Sequence, residues 1–157
     1  MRTVLLLVIV LIVGAQFVPV TRDNPPVAAD FDGDAAVKAV LKESCYNCHS
    51  NETTWPWYSR IAPVGWVIWY DVTEGRQRLN FSDWDQHAGE DLIDPNDPFP
   101  PKTLSERITQ VIHNGRMPPG TYRLMNPDAR LSASQKEALI EGLVRTVKAN
   151  EPSAGAH

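Results

Sequence analysis

The chain has only two cysteines, and both fall in Cys45-Tyr46-Asn47-Cys48-His49. Two thiols on neighbouring turns with an imidazole directly after them read as a c-type haem attachment site. The thiols can add to the two vinyl groups of one haem, and His49 then stands where its imidazole can take one axial position on the iron. A thioredoxin-like redox pair is the competing reading of Cys-x-x-Cys. It calls for a strand-helix-strand setting, and no strand pattern occurs here. A zinc site would need a second ligand pair, which the sequence lacks.

The ligand on the other face of the iron decides the chemistry. With His49 alone the iron keeps an open site; a second protein ligand largely confines it to electron transfer. The candidates are Met117, His113, Met125 and His87, in that order. Met117 leads because Pro118-Pro119 stiffens its loop and lowers the entropic cost of holding a weak thioether ligand. Ordinary core filling is the bland alternative for any methionine.

Around these groups, a ligating imidazole needs an acceptor for its other N–H, and the carbonyl of Pro63 is the sequence-based candidate. Arg60 suits a haem propionate, or else is a solvated surface arginine. Four tryptophans, Trp55, Trp57, Trp66 and Trp69, follow the motif closely. Large flat apolar surfaces thus lie near a large flat cofactor, with Trp55 and Trp57 the candidate haem contacts; plain core packing is the alternative.

The elements that must position these groups are helical. Asp34 caps a segment Ala35–Ser44 with Val37, Val40 and Leu41 at helical spacing, leading into Cys45. Ser50 to Pro63 has turn residues but no periodicity and reads as a structured loop. A helix is expected over Gly65–Leu79, with Trp66, Trp69, Tyr70, Thr73 and Gln77 on one face. Asn80-Phe81-Ser82-Asp83-Trp84 reads as a turn with two aromatic anchors, and Asp85–Pro101 as an acidic, proline-rich surface loop. Thr103 with Glu106 opens a helix that stops at Asn114-Gly115, and Ser132 with Gln135 opens a terminal one. Leu139, Ile140, Leu143, Val144 and Val147 form the stripe of the latter.

At the N-terminus, one basic residue precedes an apolar stretch, Val4 to Val20, interrupted only by Gln16. Such a run directs export. About 17 apolar residues just span a bilayer core, so an uncleaved membrane-spanning anchor is expected, with cleavage of a signal peptide after Ala15 as the alternative. The domain plan is therefore 1–20 anchor or signal, 21–33 extended linker lifting the domain off the membrane, 34–150 haem-binding domain and 151–157 disordered tail. A net charge of −4 argues against a nucleic-acid partner.

The order helix, Cys-x-x-Cys-His, long loop region, Met-Pro-Pro, terminal helix resembles the class I c-type cytochromes. The block from Cys45 to Val64 is similar, more narrowly, to a bacterial haem-binding domain family of exported monohaem proteins. Asn80-Phe81-Ser82-Asp83-Trp84, Met117-Pro118-Pro119, Leu131-Ser132 and the apolar segment followed by Asn24-Pro25-Pro26 share that likeness. The resemblance implies one covalent haem c on the outer face of a bacterial inner membrane, attached at Cys45 and Cys48 with His49 as proximal ligand. The family often carries a histidine in the segment where this chain has Leu124-Met125-Asn126-Pro127.

The expectation is an all-α, class I cytochrome c-like domain: a membrane-tethered one-electron carrier with His49 and Met117 on the iron and redox proteins of a respiratory or periplasmic chain as partners. It is not expected to be an enzyme. A haem sensor or peroxidase-like protein with an open sixth site, a haem subunit of a respiratory complex, and a soluble periplasmic form after cleavage are the alternatives.

Overall fold

The computed structural model describes residues 1–87 and 103–150. The expected tail 151–157, and residues 88–101 of the expected acidic loop, lie outside the described residues. Among these the protein is all-helical: α1 (Arg2–Ala15), α2 (Ala35–Ser44), α3 (Tyr46–His49), α4 (Val64–Arg78), α5 (Trp84–His87), α6 (Leu104–His113), α7 (Gly120–Met125) and α8 (Ala133–Asn150). Short 3-10 turns at Trp57–Arg60 and Pro127–Ala129 complete it.

Helix starts follow the capping chemistry. The Asp34 carboxylate accepts from the Ala36 amide at 2.8 Å, and the Thr103 hydroxyl from Glu106 at 3.1 Å. At α8 the box is reciprocal: the Gln135 amide donates to the Ser132 hydroxyl (3.2 Å), and the Ser132 amide to the Gln135 side-chain oxygen (2.9 Å). Each such bond satisfies a donor that the helix itself leaves orphaned. Gly115, at φ +73°, ends α6 in the left-handed conformation that glycine adopts without a Cβ penalty.

The core lies between α2, α6 and α8. Leu41, Ile108, Ile112, Leu139, Leu143 and Val147 fill it, and Val37 seats where Gly142 carries no side chain. A second, aromatic half is built from Phe31, Tyr46, Phe81 and Trp84. Tyr46 stacks on Phe81 with centroids 5.4 Å apart, and Phe31 meets Trp84 edge-on at 4.9 Å. The turn Asn80–Trp84 thus delivers both of its expected aromatic anchors to the interior.

Two expectations are revised. The segment 21–33 is extended, but it is a strap on the domain and does not lift it away. Arg76 of α4 fans its guanidinium over the backbone oxygens of Asp23 (3.1 and 3.2 Å) and Ser50 (2.8 Å), the Asn24 side chain and the Thr53 hydroxyl. Further along, Ala28 and Ala29 donate to the Ser82 carbonyl, and Phe31, 1% exposed, belongs to the core. The domain therefore begins well before residue 34. The strap's prolines fit because none of its bonds needs a proline N–H; Pro26 itself accepts from the Asn51 side chain at 2.9 Å through its carbonyl.

The expected span Val4–Val20 does not form as one helix either. Among the described residues no helix is long and apolar enough to cross a membrane. α1 has 14 residues, about 21 Å at 1.5 Å rise per residue, against an apolar core of about 30 Å. The helix ends at Ala15, close before Pro19, which disfavours a helical Val18, and the Gln16 side chain ties its end both to the Ile12 carbonyl and to Ala62. Its amide donates to the Ala62 carbonyl at 3.2 Å and its oxygen accepts from the Ala62 amide at 3.0 Å.

If Phe31 is a core residue and not part of a spacer, Phe31→Ala should destabilise the protein by about 3–4 kcal/mol in denaturant titrations, as for other buried phenylalanines. A loss within about 0.5 kcal/mol, typical of surface substitutions, would restore the linker reading.

Candidate haem site

The motif occupies a tight turn of its own. Cys45 ends α2 with φ −127°, leaving the helical region, and α3 restarts from it. The Cys45 carbonyl accepts from both the Cys48 (3.1 Å) and His49 (2.9 Å) amides. This closes one turn and keeps both sulfurs and the imidazole on one small structure. Each thiol is free. Burial pushes Cys45 up to about 12 and Cys48 up to about 11, with mutual repulsion adding for Cys45 and the Asp71 charge for Cys48.

His49 is half-buried, and its Nδ1 lies 3.0 Å from the Leu79 carbonyl. A carbonyl can only accept, so Nδ1 carries the proton and Nε2 keeps its lone pair in the neutral ring. Burial lowers the imidazole's affinity for a second proton, with the Leu79 and Gly75 carbonyls partly opposing. The sequence-based acceptor, Pro63, is otherwise engaged: its carbonyl accepts from Trp66 and Val67 at the start of α4. Leu79 ends that same helix, and α4 reaches the motif because Gly75 has no side chain. A Cβ there would meet the Cys48 carbonyl oxygen.

The packed face of α4 is accordingly Gly65, Val72 and Gly75, not the expected aromatic stripe. Trp66 and Trp69 are half-buried, while Tyr70 and Gln77 are exposed. Bulky rings cannot enter a contact this close, so they turn away from the motif. Trp57 is 74% exposed, its ring edge-on to Tyr58 at 5.7 Å. Trp55 is half-buried with its indole N–H buried and unpartnered.

The loop after His49 is locked by polar side chains. Thr53 donates its hydroxyl to the Asn47 carbonyl (2.9 Å), the Asn51 amide donates to the Ser82 hydroxyl (2.9 Å), and Phe81 donates to the His49 carbonyl (2.7 Å).

Met117 is half-buried in the loop between α6 and α7, its amide donating to the Val111 carbonyl at 2.9 Å. The helix that follows, α7, reads as loop in the sequence. It returns the chain to the motif, where the Asn47 side-chain amide donates to the Tyr122 hydroxyl at 2.7 Å. Arg123, beside Tyr122, has its Nε buried without a partner. Of the other sixth-ligand candidates, His113 is exposed along a shallow groove between α6 and α8, and Met125 is exposed at the end of α7. His87 ends α5, at the edge of the described residues. Arg60 is exposed.

The arrangement fits a haem on three counts. Two free thiols sit on one turn, a neutral imidazole has its Nε2 lone pair unused, and the Trp55 indole N–H and the Arg123 Nε are buried donors without partners, as are the Trp84 indole N–H and the Ser44 and Ser105 hydroxyls. A family model described as a haem-binding domain matches residues 10–145. The chain belongs to the haem-binding domain family. Comparisons with curated proteins and with solved structures give no match.

Leu79, Gly75, Arg76, Tyr122 and Arg123 were not singled out in the sequence. Only Gly75 carries a local signal, as a glycine in a helical pattern, where it is unfavourable unless packing requires it.

The thiol shifts give a pH test on haem-free protein. A folded pKa raised above the ordinary value near 9 leaves stability intact below pH 9 and removes it as pH climbs towards 11–12. Denaturant titrations should show that loss in the native chain and a shallower one in Cys45→Ser/Cys48→Ser. Equal alkaline slopes would mean the thiols are not buried.

Proposed function

We propose that this member of the haem-binding domain family is a monohaem c-type cytochrome that carries one electron at a time, tethered to a membrane on the extracytoplasmic side. Cys45 and Cys48 would attach the haem, and His49 and Met117 would hold its iron. The observation that carries the reading is the His49–Leu79 bond. It orients the ring and leaves Nε2 as the lone pair that a metal takes.

Bound haem supplies an iron that accepts and returns a single electron. The chain's own residues set the conditions. Burial holds the imidazole neutral, and the Leu79 carbonyl fixes its tautomer. Met117, in a loop pinned at Val111 and stiffened by the buried Pro118, would supply the second iron ligand. A thioether and an imidazole together would favour the reduced iron and so raise its potential. The Trp55 indole N–H and the Arg123 Nε, buried without partners, would take the propionates in place of the exposed Arg60.

Tethering rests on α1. It is apolar all round, and every large side chain from Val4 to Val13 is exposed, with no protein core to cover it. Such a helix is stable where lipid covers it. The family match begins at residue 10, inside α1, which favours retention over cleavage. The acidic balance of the chain suits a basic redox partner.

An oxidised-minus-reduced spectrum tests the ligand set. Wild type should show a far-red methionine–iron band. Met117→Ala should abolish it and lower the reduction potential by on the order of 100 mV, while Met125→Ala leaves both nearly unchanged. An unaltered spectrum in Met117→Ala would sink the assignment, and ready carbon monoxide binding by reduced wild type would favour the open-site sensor or peroxidase reading. Intact mass tests the tether: a mature chain starting at Met1 supports it, and one starting at Gln16 overturns it.

A further inference from the structure

α1 is not joined to the domain by a free hinge. Immediately after it, the Gln16 side chain grips both the amide and the carbonyl of Ala62, and Arg22 donates to the Ser59 carbonyl at 2.8 Å. The intervening Val18–Thr21 lies along α4 and forms an apolar groove with Trp66, Val67, Trp69 and Tyr70. The apolar helix therefore leaves the domain at one fixed place.

The surface at that place is itself apolar and unpartnered. Val64, Val67 and Tyr70 recur every third residue along the outside of α4, preceded by Ile61 and Trp57, and all five are exposed. Phe17, next in sequence to Gln16 and two residues past the end of α1, is exposed as well. The close packing at Gly65 and Gly75 is what turns these side chains outward. Tryptophan and tyrosine among aliphatics, with the exposed Arg60 adjoining, is the composition that seats at the boundary of headgroups and acyl chains.

We propose that this face of α4 and the preceding 3-10 turn rests on the lipid surface into which α1 inserts, so that the haem domain is held at a fixed attitude to the membrane. The proposal builds on the tethering described under Proposed function. Its occupant is lipid because the face is continuous, through the Gln16–Ala62 clamp and the groove, with the helix that lipid covers.

The test uses the full haem-loaded chain at one copy per nanodisc of phosphatidylethanolamine and phosphatidylglycerol, with hydroxyl-radical footprinting read by mass spectrometry. Leu124 and Met125, exposed on α7, serve as internal references. Trp57 and Tyr70 should oxidise on the order of threefold less, relative to those references, than in Val64→Glu/Val67→Glu, whose charges lift the face off lipid. Both substituted positions are exposed, and an unchanged visible spectrum verifies that the variant is folded. Disc-bound wild type with Trp57 and Tyr70 oxidised as fast as in the variant overturns the proposal and leaves the α1 tether standing. A chain that does not co-purify with discs overturns both. Protection that arises without discs and grows with protein concentration assigns the face to a second copy and equally overturns it.

Discussion

The close approach of α4 to the Cys-x-x-Cys-His turn is the constraint from which most of this structure follows. Gly75 lets the helix backbone meet the Cys48 carbonyl, and that contact brings the Leu79 carbonyl to 3.0 Å from the His49 ring. With Nδ1 donating, the ring is oriented, neutral and open at Nε2. A side chain at position 75 would move the helix end and with it the acceptor. The chemistry of the imidazole is thus set by the absence of a methyl group on a neighbouring helix.

The same helix organises what lies around the motif. Its inner face is small because the motif is close, so its aromatic and aliphatic residues are displaced to the outer face. Arg76, one position beyond Gly75, joins the strap to the loop after His49 through the oxygens of Asp23, Asn24, Ser50 and Thr53. Five donors in a rigid planar fork suit such a crossing, and a lysine's single ammonium would not span it. A stretch without regular structure therefore becomes part of the domain, and the path from α1 to the haem site contains little slack.

Much of the fold was legible because it is encoded locally. Asp34, Thr103 and Ser132 marked helix starts through bonds spanning two or three residues, and Gly115 marked an end through its own φ. The stripe of α8 sits where its period put it, with Leu139, Leu143 and Val147 buried. The α4 stripe misled because aromatic residues at helical spacing suggest an inward face, whereas here backbone contact outweighs side-chain packing. α7 was missed because six residues after two prolines carry too little periodicity. The strap reads as a spacer in sequence because its bonds depend on an arginine some fifty residues away along the chain.

Sequence by itself determined the Cys-x-x-Cys-His motif, the family and the apolar N-terminal segment. Those depend on residue types a few positions apart, and a single turn of helix suffices to bring them together. The tertiary structure alone decided that His49 answers to Leu79 and not Pro63, thirty residues apart along the chain. It also decided that Tyr122 closes on Asn47 and that the domain begins in its strap. Each of these is a meeting of distant backbone segments, governed by which residues are small enough to let them touch.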